Sequence, residues 1–423
     1  MLKKVVTLTI LLITAYTYAQ QNQVKSLSIK GYKKLNKSFI EKLSCIELNK
    51  TLDSARIKED VIRFQRMPAI SKVNYKVVKN NSDNYDITYT IEENHTLIPS
   101  ANIFTTNEDE FAYRIGVNEF DLFGRNIALG GFFQRDIFNS YAINFRAPYL
   151  FSRTTGLAIN YQNLTTLEPV FFEQGTADYR YNNNSIEILG LYEIDFKNRF
   201  EIGLNFFVED YKYIAGGTRP NNLNDGDLSN VKKWLIKGIY EYSNLKYHYQ
   251  YISGFRSLLN LQYVQSTNLL LPDFAIGWND FFYYKRIGKK GNWANRFRLG
   301  LSTNDASPFA PFSVDNNLNI RGVGNVIDRG TGVAVLNTEY RHTLYQKNWF
   351  ILQGNAFVDF GSWRNPGGEI GDFSDAQNFR VYPGLGLRFM HKKIYNAIFR
   401  IDYGVGVTKS STKGLVFGIG QYF

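Results

Sequence analysis

Cysteine is almost missing from this chain. Cys45 is the single one in 423 residues, so neither a disulfide framework nor a cysteine zinc site can form within one molecule. Histidine is scarce too, and His95, His248, His342 and His391 stand apart without metal-ligand spacing. No Gly-x-Ser-x-Gly elbow occurs, and no phosphate-binding glycine loop precedes a helix. The expectation is therefore a protein without enzymatic chemistry, cofactor or metal. Beyond the first twenty residues there is also no apolar run of the length that a membrane helix requires. Charge runs are absent as well: the formal excess of +11 is scattered and includes Lys3 and Lys4, so nucleic acid is not an expected partner.

What the chain does contain is apolar and aromatic residue in quantity, 44% hydrophobic and 16% aromatic, spread without long runs. A transmembrane β-barrel reconciles these facts, because its strands are apolar only at alternate positions and its aromatics gather at the two interfaces. A secreted soluble all-β protein shares the alternation and remains the alternative. At the start, Lys3 and Lys4 precede an apolar run from Val5 to Ile13, and Thr17-Tyr18-Ala19 offers small residues for a signal peptidase. A signal peptide over 1–19 is expected, with the mature chain beginning at Gln20. The run is too short for a durable membrane anchor, and no cysteine marks a lipoprotein.

Residues 24–94 read as a small α/β module. A strand from Val24 to Lys30 ends at Gly31, and a helix follows in which Ser38 is placed to cap and Glu41 to return the bond. In a second helix Ile57, Val61 and Phe64 make one apolar stripe, ended by Pro68. Val73, Tyr75 and Val77 then alternate with polar neighbours, as do Tyr85, Ile87, Tyr89 and Ile91, giving two hairpin strands. This strand, helix, helix, strand, strand order, with Ile29-x-Gly31 and the run Met67-Pro68-Ala69-Ile70-Ser71-Lys72-Val73, resembles a POTRA domain. The resemblance implies that the strand from Val73 to Lys79 lies at the sheet edge. There Val73, Tyr75 and Val77 would pair with an extended client, guarded by Lys72, Lys76 and Lys79. A plain spacer at the barrel mouth fits the same residues.

Residues 97–423 read as two-faced strands separated by polar turns. Phe297, Leu299 and Leu301 alternate with Arg296, Arg298 and Gly300. Val381, Leu385, Leu387 and Phe389 lie opposite Arg380, Gly384, Gly386 and Arg388, and Leu415, Phe417 and Ile419 lie opposite Val416, Gly418 and Gly420. The length allows about 16 antiparallel strands. Longer polar connections are expected near 164–184, 212–229, 303–330 and 361–379, after odd strands, which makes 303–330 the sixth external loop.

That loop carries Ile320-Arg321-Gly322-Val323-Gly324. It is followed in order by Asn337-Thr338-Glu339-Tyr340-Arg341, Phe357-Val358-Asp359-Phe360-Gly361, Gly384-Leu385-Gly386-Leu387-Arg388, Ile401-Asp402-Tyr403-Gly404 and Gly420-Gln421-Tyr422-Phe423. With Asp121-Leu122-Phe123-Gly124-Arg125 and Phe145-Arg146-Ala147-Pro148-Tyr149 upstream, the series resembles the superfamily of BamA, TamA and the two-partner-secretion transporters over nearly the whole mature chain. The resemblance implies a 16-stranded barrel in the outer membrane of a Gram-negative-type bacterium, with the POTRA domain in the periplasm. Its sixth loop would fold into the lumen, Arg321 meeting Asp359 on the thirteenth barrel strand and Glu339 on the twelfth, while Gly322 and Gly324 permit close backbone approach. Val323 departs from the family's usual Phe or Tyr.

Function would lie at a lateral seam between the first strand, near Ser100 to Thr106, and the last, Gly414 to Phe423, with Gly414, Gly418 and Gly420 easing its opening. The implied partners are outer-membrane lipids, unfolded client polypeptides and accessory assembly proteins. The implied function is an insertase for outer-membrane proteins; a translocation pore of the two-partner type and a passive channel stay open. A single POTRA domain argues for a narrower client set than the essential insertase has. The lack of a helix between Gln20 and that domain weakens the two-partner reading, and the chain has no room for a patatin-like lipase.

Overall fold

The computed structural model describes residues 22–80, 84–105, 111–172, 175–216, 228–269, 271–304, 310–314, 319–323, 328–409 and 411–423. The signal-peptide expectation over 1–19 lies outside the described residues, as do Thr106 and Gly324. The chain divides into two compact units, one extending to Asn94 and taking in Phe123–Arg125, the other comprising His95–Leu122 and Asn126–Phe423.

The first unit is a small α/β domain with β1 (Val24–Lys30), α1 (Lys37–Leu43), α2 (Ser54–Gln65), β2 (Ile70–Lys79) and β3 (Tyr85–Glu93). Its sheet order is β1-β3-β2, with β1 parallel and β2 antiparallel to the central β3. Ile40 and Leu43 of α1 and Ile57 and Phe64 of α2 are buried, as are Ile87, Tyr89 and Ile91 of β3. The cap of α1 differs from the expected one. Asn36, not Ser38, caps it, its side-chain oxygen accepting from Phe39 N–H at 3.0 Å. Ser38 already lies inside the first turn and cannot serve the start of the helix. A buried carboxylate fastens the helices to the sheet, since Asp60 accepts from Cys45 N–H at 2.7 Å, from the Tyr89 hydroxyl at 3.0 Å and from the Ser44 hydroxyl. Burial, followed by the Asp60 charge, pushes the Tyr89 hydroxyl well above its ordinary pKa. On β2 the alternation has less consequence than expected: Val73 is buried, whereas Tyr75 and Val78 are exposed.

The second unit is an antiparallel barrel of sixteen strands. The wall begins with β4 (Leu97–Thr105), β5 (Phe111–Leu122), β6 (Ile127–Arg135) and β7 (Asn139–Ala147). Three long strands follow, β8 (Thr155–Phe172), β9 (Gly175–Glu193) and β10 (Asn198–Gly216), and then β11 (Val231–Ser243), which β12 (Lys246–His248) continues along the same neighbour. Next come β13 (Tyr251–Ser266), β14 (Phe274–Ile287) and β15 (Gly291–Ser302). A hairpin of β16 (Phe312–Val314) and β17 (Asp328–Gly330) stands within the sixth loop, before β18 (Gly332–Lys347), β19 (Phe350–Arg364), β20 (Phe379–His391), β21 (Ile398–Val405) and β22 (Lys413–Ile419).

The two faces separate as the alternation requires. Phe297, Leu299 and Leu301 are exposed while Arg296 and Ser302 are buried, and Leu415, Phe417 and Ile419 are exposed while Val416 is buried. One expected connection is absent. Residues 164–184 are chiefly strand, with β8 and β9 paired from Thr155↔Tyr192 to Phe172↔Gly175. At 18 to 19 residues, β8, β9 and β10 exceed the roughly 9–11 that cross a bilayer. Their excess carries a cluster of its own, in which Tyr179, Tyr181, Tyr211 and Tyr213 pack with Leu228 and Leu271. The asparagines and threonines between these apolar residues read as loop in one dimension; the ladder satisfies their backbone groups as strand.

The strand order closes the cylinder by setting β22 beside β4. There β4 offers nine residues and β22 seven, the fewest of the sixteen described wall strands. One end of this seam is fastened further. There His95 N–H donates to the Lys393 carbonyl at 2.9 Å, and Tyr395 N–H to the His95 carbonyl at 3.0 Å, tying the start of β4 to the β20–β21 turn.

Candidate functional site

Between β16 and β17 the sixth loop dips into the lumen. Ile320 and Val323 bury themselves with Phe312, Val314, Val333, Val335, Trp363 and Tyr382, so apolar packing anchors the loop on both sides of Arg321. Val323 fills its place as an aliphatic residue. Gly322 has φ +94°, and a Cβ there would come within 2.6 Å of the Gly404 carbonyl on β21, so the position admits only glycine without rearrangement. The Thr412 hydroxyl donates to the Val323 carbonyl at 2.7 Å and fixes the loop from the side of β22.

Arg321 is fully buried and takes Asp359 bidentately, with Nε and Nη2 each 2.9 Å from a carboxylate oxygen. Its backbone N–H adds a third bond to Asp359, also 2.9 Å. Nη1 turns to Glu339, and Asp402 Oδ1 lies 3.8 Å from the same nitrogen. Around this pair the strands supply a larger lattice. Glu339 also meets Arg341 and, at 3.2 Å, Arg388; Arg388 bonds Asp402 at 2.8 Å; Arg400 reaches Asp402 at 3.4 Å. Removing so many charges from water costs several kcal/mol per ion, which only mutual pairing of this density offsets. The lattice is therefore a clamp: withdrawing any one member leaves others buried and uncompensated.

Strand register builds the clamp. Glu339 sits across from Phe357 and Gly384, and Arg341 lies in a row with Asn355, Gly386 and Asp402, all on lumen-facing positions of β18 to β21. Gly386 leaves room for the Asp402 carboxylate, and Gly384 for the Phe357 ring. Sequence reasoning named Arg321, Gly322, Glu339 and Asp359, which the structure brings together. It did not assign roles to Arg341, Arg388, Arg400, Asp402 or Tyr422. The signal was present in the charged residues at lumen parity on β18, β20 and β21.

The residues expected at the seam divide. Gly414 faces the Gly322 carbonyl, and a Cβ at Gly418 would meet the Arg400 guanidinium at 2.5 Å, so these glycines make space for lumenal contents. Gly420 and Phe423 are not part of the wall. β22 stops at Ile419, Gly420 turns the chain with φ +89°, and Phe423 packs inside against Leu245, Phe282, Tyr284 and Ala294. The expected last strand reaching Phe423 is thus shortened, because the positive φ of Gly420 takes the backbone out of the ladder. Val73 and Val77 lie on β2 at the sheet edge of the first unit, with Tyr75 exposed between them. Among the described residues no cluster of His, Cys, Asp and Glu could hold a metal ion.

No protein-family model matches the chain, and no curated protein matches it. Solved structures do. BamA from Haemophilus ducreyi lacking POTRA domains 1-3 aligns with a TM-score of 0.52 and 14% identity over 93% of this chain and 83% of that one. CdiB from Acinetobacter baumannii aligns at 0.61 and 13% over 94% and 73%, and CdiB from Escherichia coli at 0.63 and 11% over 94% and 75%. The chain has the fold of these 16-stranded barrels.

Proposed function

We propose that the protein resides in an outer membrane with its small α/β domain, read as a single POTRA domain, in the periplasm, and that it assists the insertion of client polypeptides through a lateral opening between β4 and β22. One observation carries this reading. The seam joins β4 to β22, which at seven residues is the shortest of the sixteen described wall strands and ends where Gly420 turns the chain inward. Backbone N–H and C=O groups released when so short a strand parts from β4 need new partners, and in lipid an incoming strand is the available one. The buried clamp supports the reading from the opposite direction, since it ties β18 to β21 and the sixth loop together beside the seam. The exposed apolar face supports placement in a membrane, with lipid as a partner. Strand exchange of this kind needs no covalent chemistry and no cofactor. Accessory assembly proteins belong to the proposal as partners of the first unit.

Cysteine pairs placed across β4 and β22 in a Cys45→Ser background test the reading, keeping those pairs whose Cα separation suits a disulfide. Oxidation should abolish client insertion and reduction should restore it. Full activity with the seam quantitatively locked would reject lateral insertion. A second reading, translocation of a partner through the lumen, draws on the likeness to the CdiB barrels, and a locked seam with undiminished secretion would favour it. For the first unit, the edge position of β2 supports client pairing along Val73, Tyr75 and Val77. Val77→Pro removes a donor there. It should lower client crosslinking with the barrel still folded, and unchanged crosslinking would leave the domain a spacer.

A further inference from the structure

Past β22 the chain does something that the barrel wall does not require. Gly420 N–H bonds back to the Ile398 carbonyl at 2.8 Å, and the next three residues turn into the lumen. Tyr422 is buried there, its ring 4.6 Å from the guanidinium carbon of Arg321 and 4.8 Å from that of Arg400. A main-chain oxygen of Phe423 accepts from Arg341 at 3.1 Å, and the Phe423 ring reaches the cluster on β14 and β15.

The chemistry of Arg321 explains why an aromatic residue stands at this point. Its N–H edge is committed to Asp359 and Glu339, so further contact must be made through the faces of the planar group, which attract ring systems. Phe357, at 3.7 Å, provides one ring and belongs to the wall strand β19. Tyr422 provides the other and belongs to the segment that follows β22. The arginine of the sixth loop therefore touches both the wall and the strand at the seam.

We infer that Gly420–Phe423 is a lumenal latch in which Tyr422 positions the sixth loop by lying on Arg321, so that β22 cannot swing away from β4 without releasing the loop. The functional meaning rests on the lateral opening proposed above; the latch itself is testable without any client. Arg321 is the reporter, because trypsin can cleave after it only when the loop has left its buried site. In detergent-solubilised full-length protein, cleavage between Arg321 and Gly322 is followed by mass spectrometry, with heat-dependent gel migration showing that the barrel is folded. The wild type and Tyr422→Phe, which keeps the ring, should resist. Tyr422→Ala should be cleaved about tenfold faster, the order expected for losing desolvated cation–π contacts. Asp359→Asn serves as the positive control, loosening the clamp directly. Rapid cleavage in Asp359→Asn with wild-type resistance in Tyr422→Ala would overturn the latch, and so would an effect in Tyr422→Phe as large as in Tyr422→Ala. Tyr422→Leu fills the same space without a ring; if it resisted as fully as Tyr422→Phe, the positioning would be simple packing and the inference would fail. Because no client is present, these results do not depend on the seam-locking experiment, and either proposal can fail alone.

Discussion

Along β18 to β21 the lumen side of the barrel is dense with charge, and Glu339 alone meets three guanidinium groups at full burial. A short way around the wall, β22 offers only seven residues beside β4. The first region is held by buried side-chain ion pairs as well as by its ladders, the second by one short strand. In a closed cylinder strain or thermal opening collects at the weakest pair of strands. On the proposed lateral opening, the clamp directs motion to the seam by immobilising the wall beside it.

The largest test removes a clamp member. Arg321→Ala leaves Asp359 buried without its bidentate partner and Glu339 with two of its three guanidinium groups, and should cost about 3–5 kcal/mol in denaturant unfolding of the micelle-bound protein. Asp359→Ala should cost a comparable amount, and the double variant little more, because partners in one pair are not independent. Fully additive losses would show that the two residues act separately. A second test disturbs only the backbone fit. A Cβ at Gly404 would strike the Arg321 carbonyl, so Gly404→Ala should destabilise by about 1–3 kcal/mol. Gly238→Ala, where a Cβ meets open space, is the matched control and should change little.

Smaller effects sharpen the contrast. Thr412→Val deletes the donor to the Val323 carbonyl and should cost about 1 kcal/mol, read in the same unfolding experiment. At the seam, Ser100→Ala on β4 should shift stability by less than about 0.5 kcal/mol, as a surface-like position does. A loss at Ser100 equal to that at Gly404 would mean that the seam is held as firmly as the wall, and the comparison would collapse.

Much of the architecture was readable from one dimension. Alternation in β15, β20 and β22 gave the lipid-side and lumen-side residues correctly, because side chains in a strand can point only two ways. The order of elements in the first unit followed from helical spacing at Ile57 and Phe64 and from period two at Ile87 and Tyr89. The errors have equally local causes. Ser38 and Asn36 are both capping residues two positions apart, and the choice depends on where the preceding chain enters the helix. Residues 164–184 carry polar side chains on a strand that extends beyond any bilayer, so polarity there signals solvent and not a turn. The role of Gly420 was misjudged because glycine weakens a strand and ends one by the same property, its freedom at positive φ.

By itself the sequence determined the period of each segment, the supply of charge at lumen-facing positions and the glycine that follows Arg321, since these depend only on residue type and spacing. Only the tertiary structure decided which charges meet. Arg321 lies 18 residues from Glu339, 38 from Asp359 and 81 from Asp402, and nothing local chooses among them. Closure of the sheet fixes the register that sets β18, β19 and β21 around one point, and burial then makes every unpaired alternative too costly to populate. The same closure brings Tyr422 onto Arg321, 101 residues away in sequence, once the chain has turned inward at Gly420.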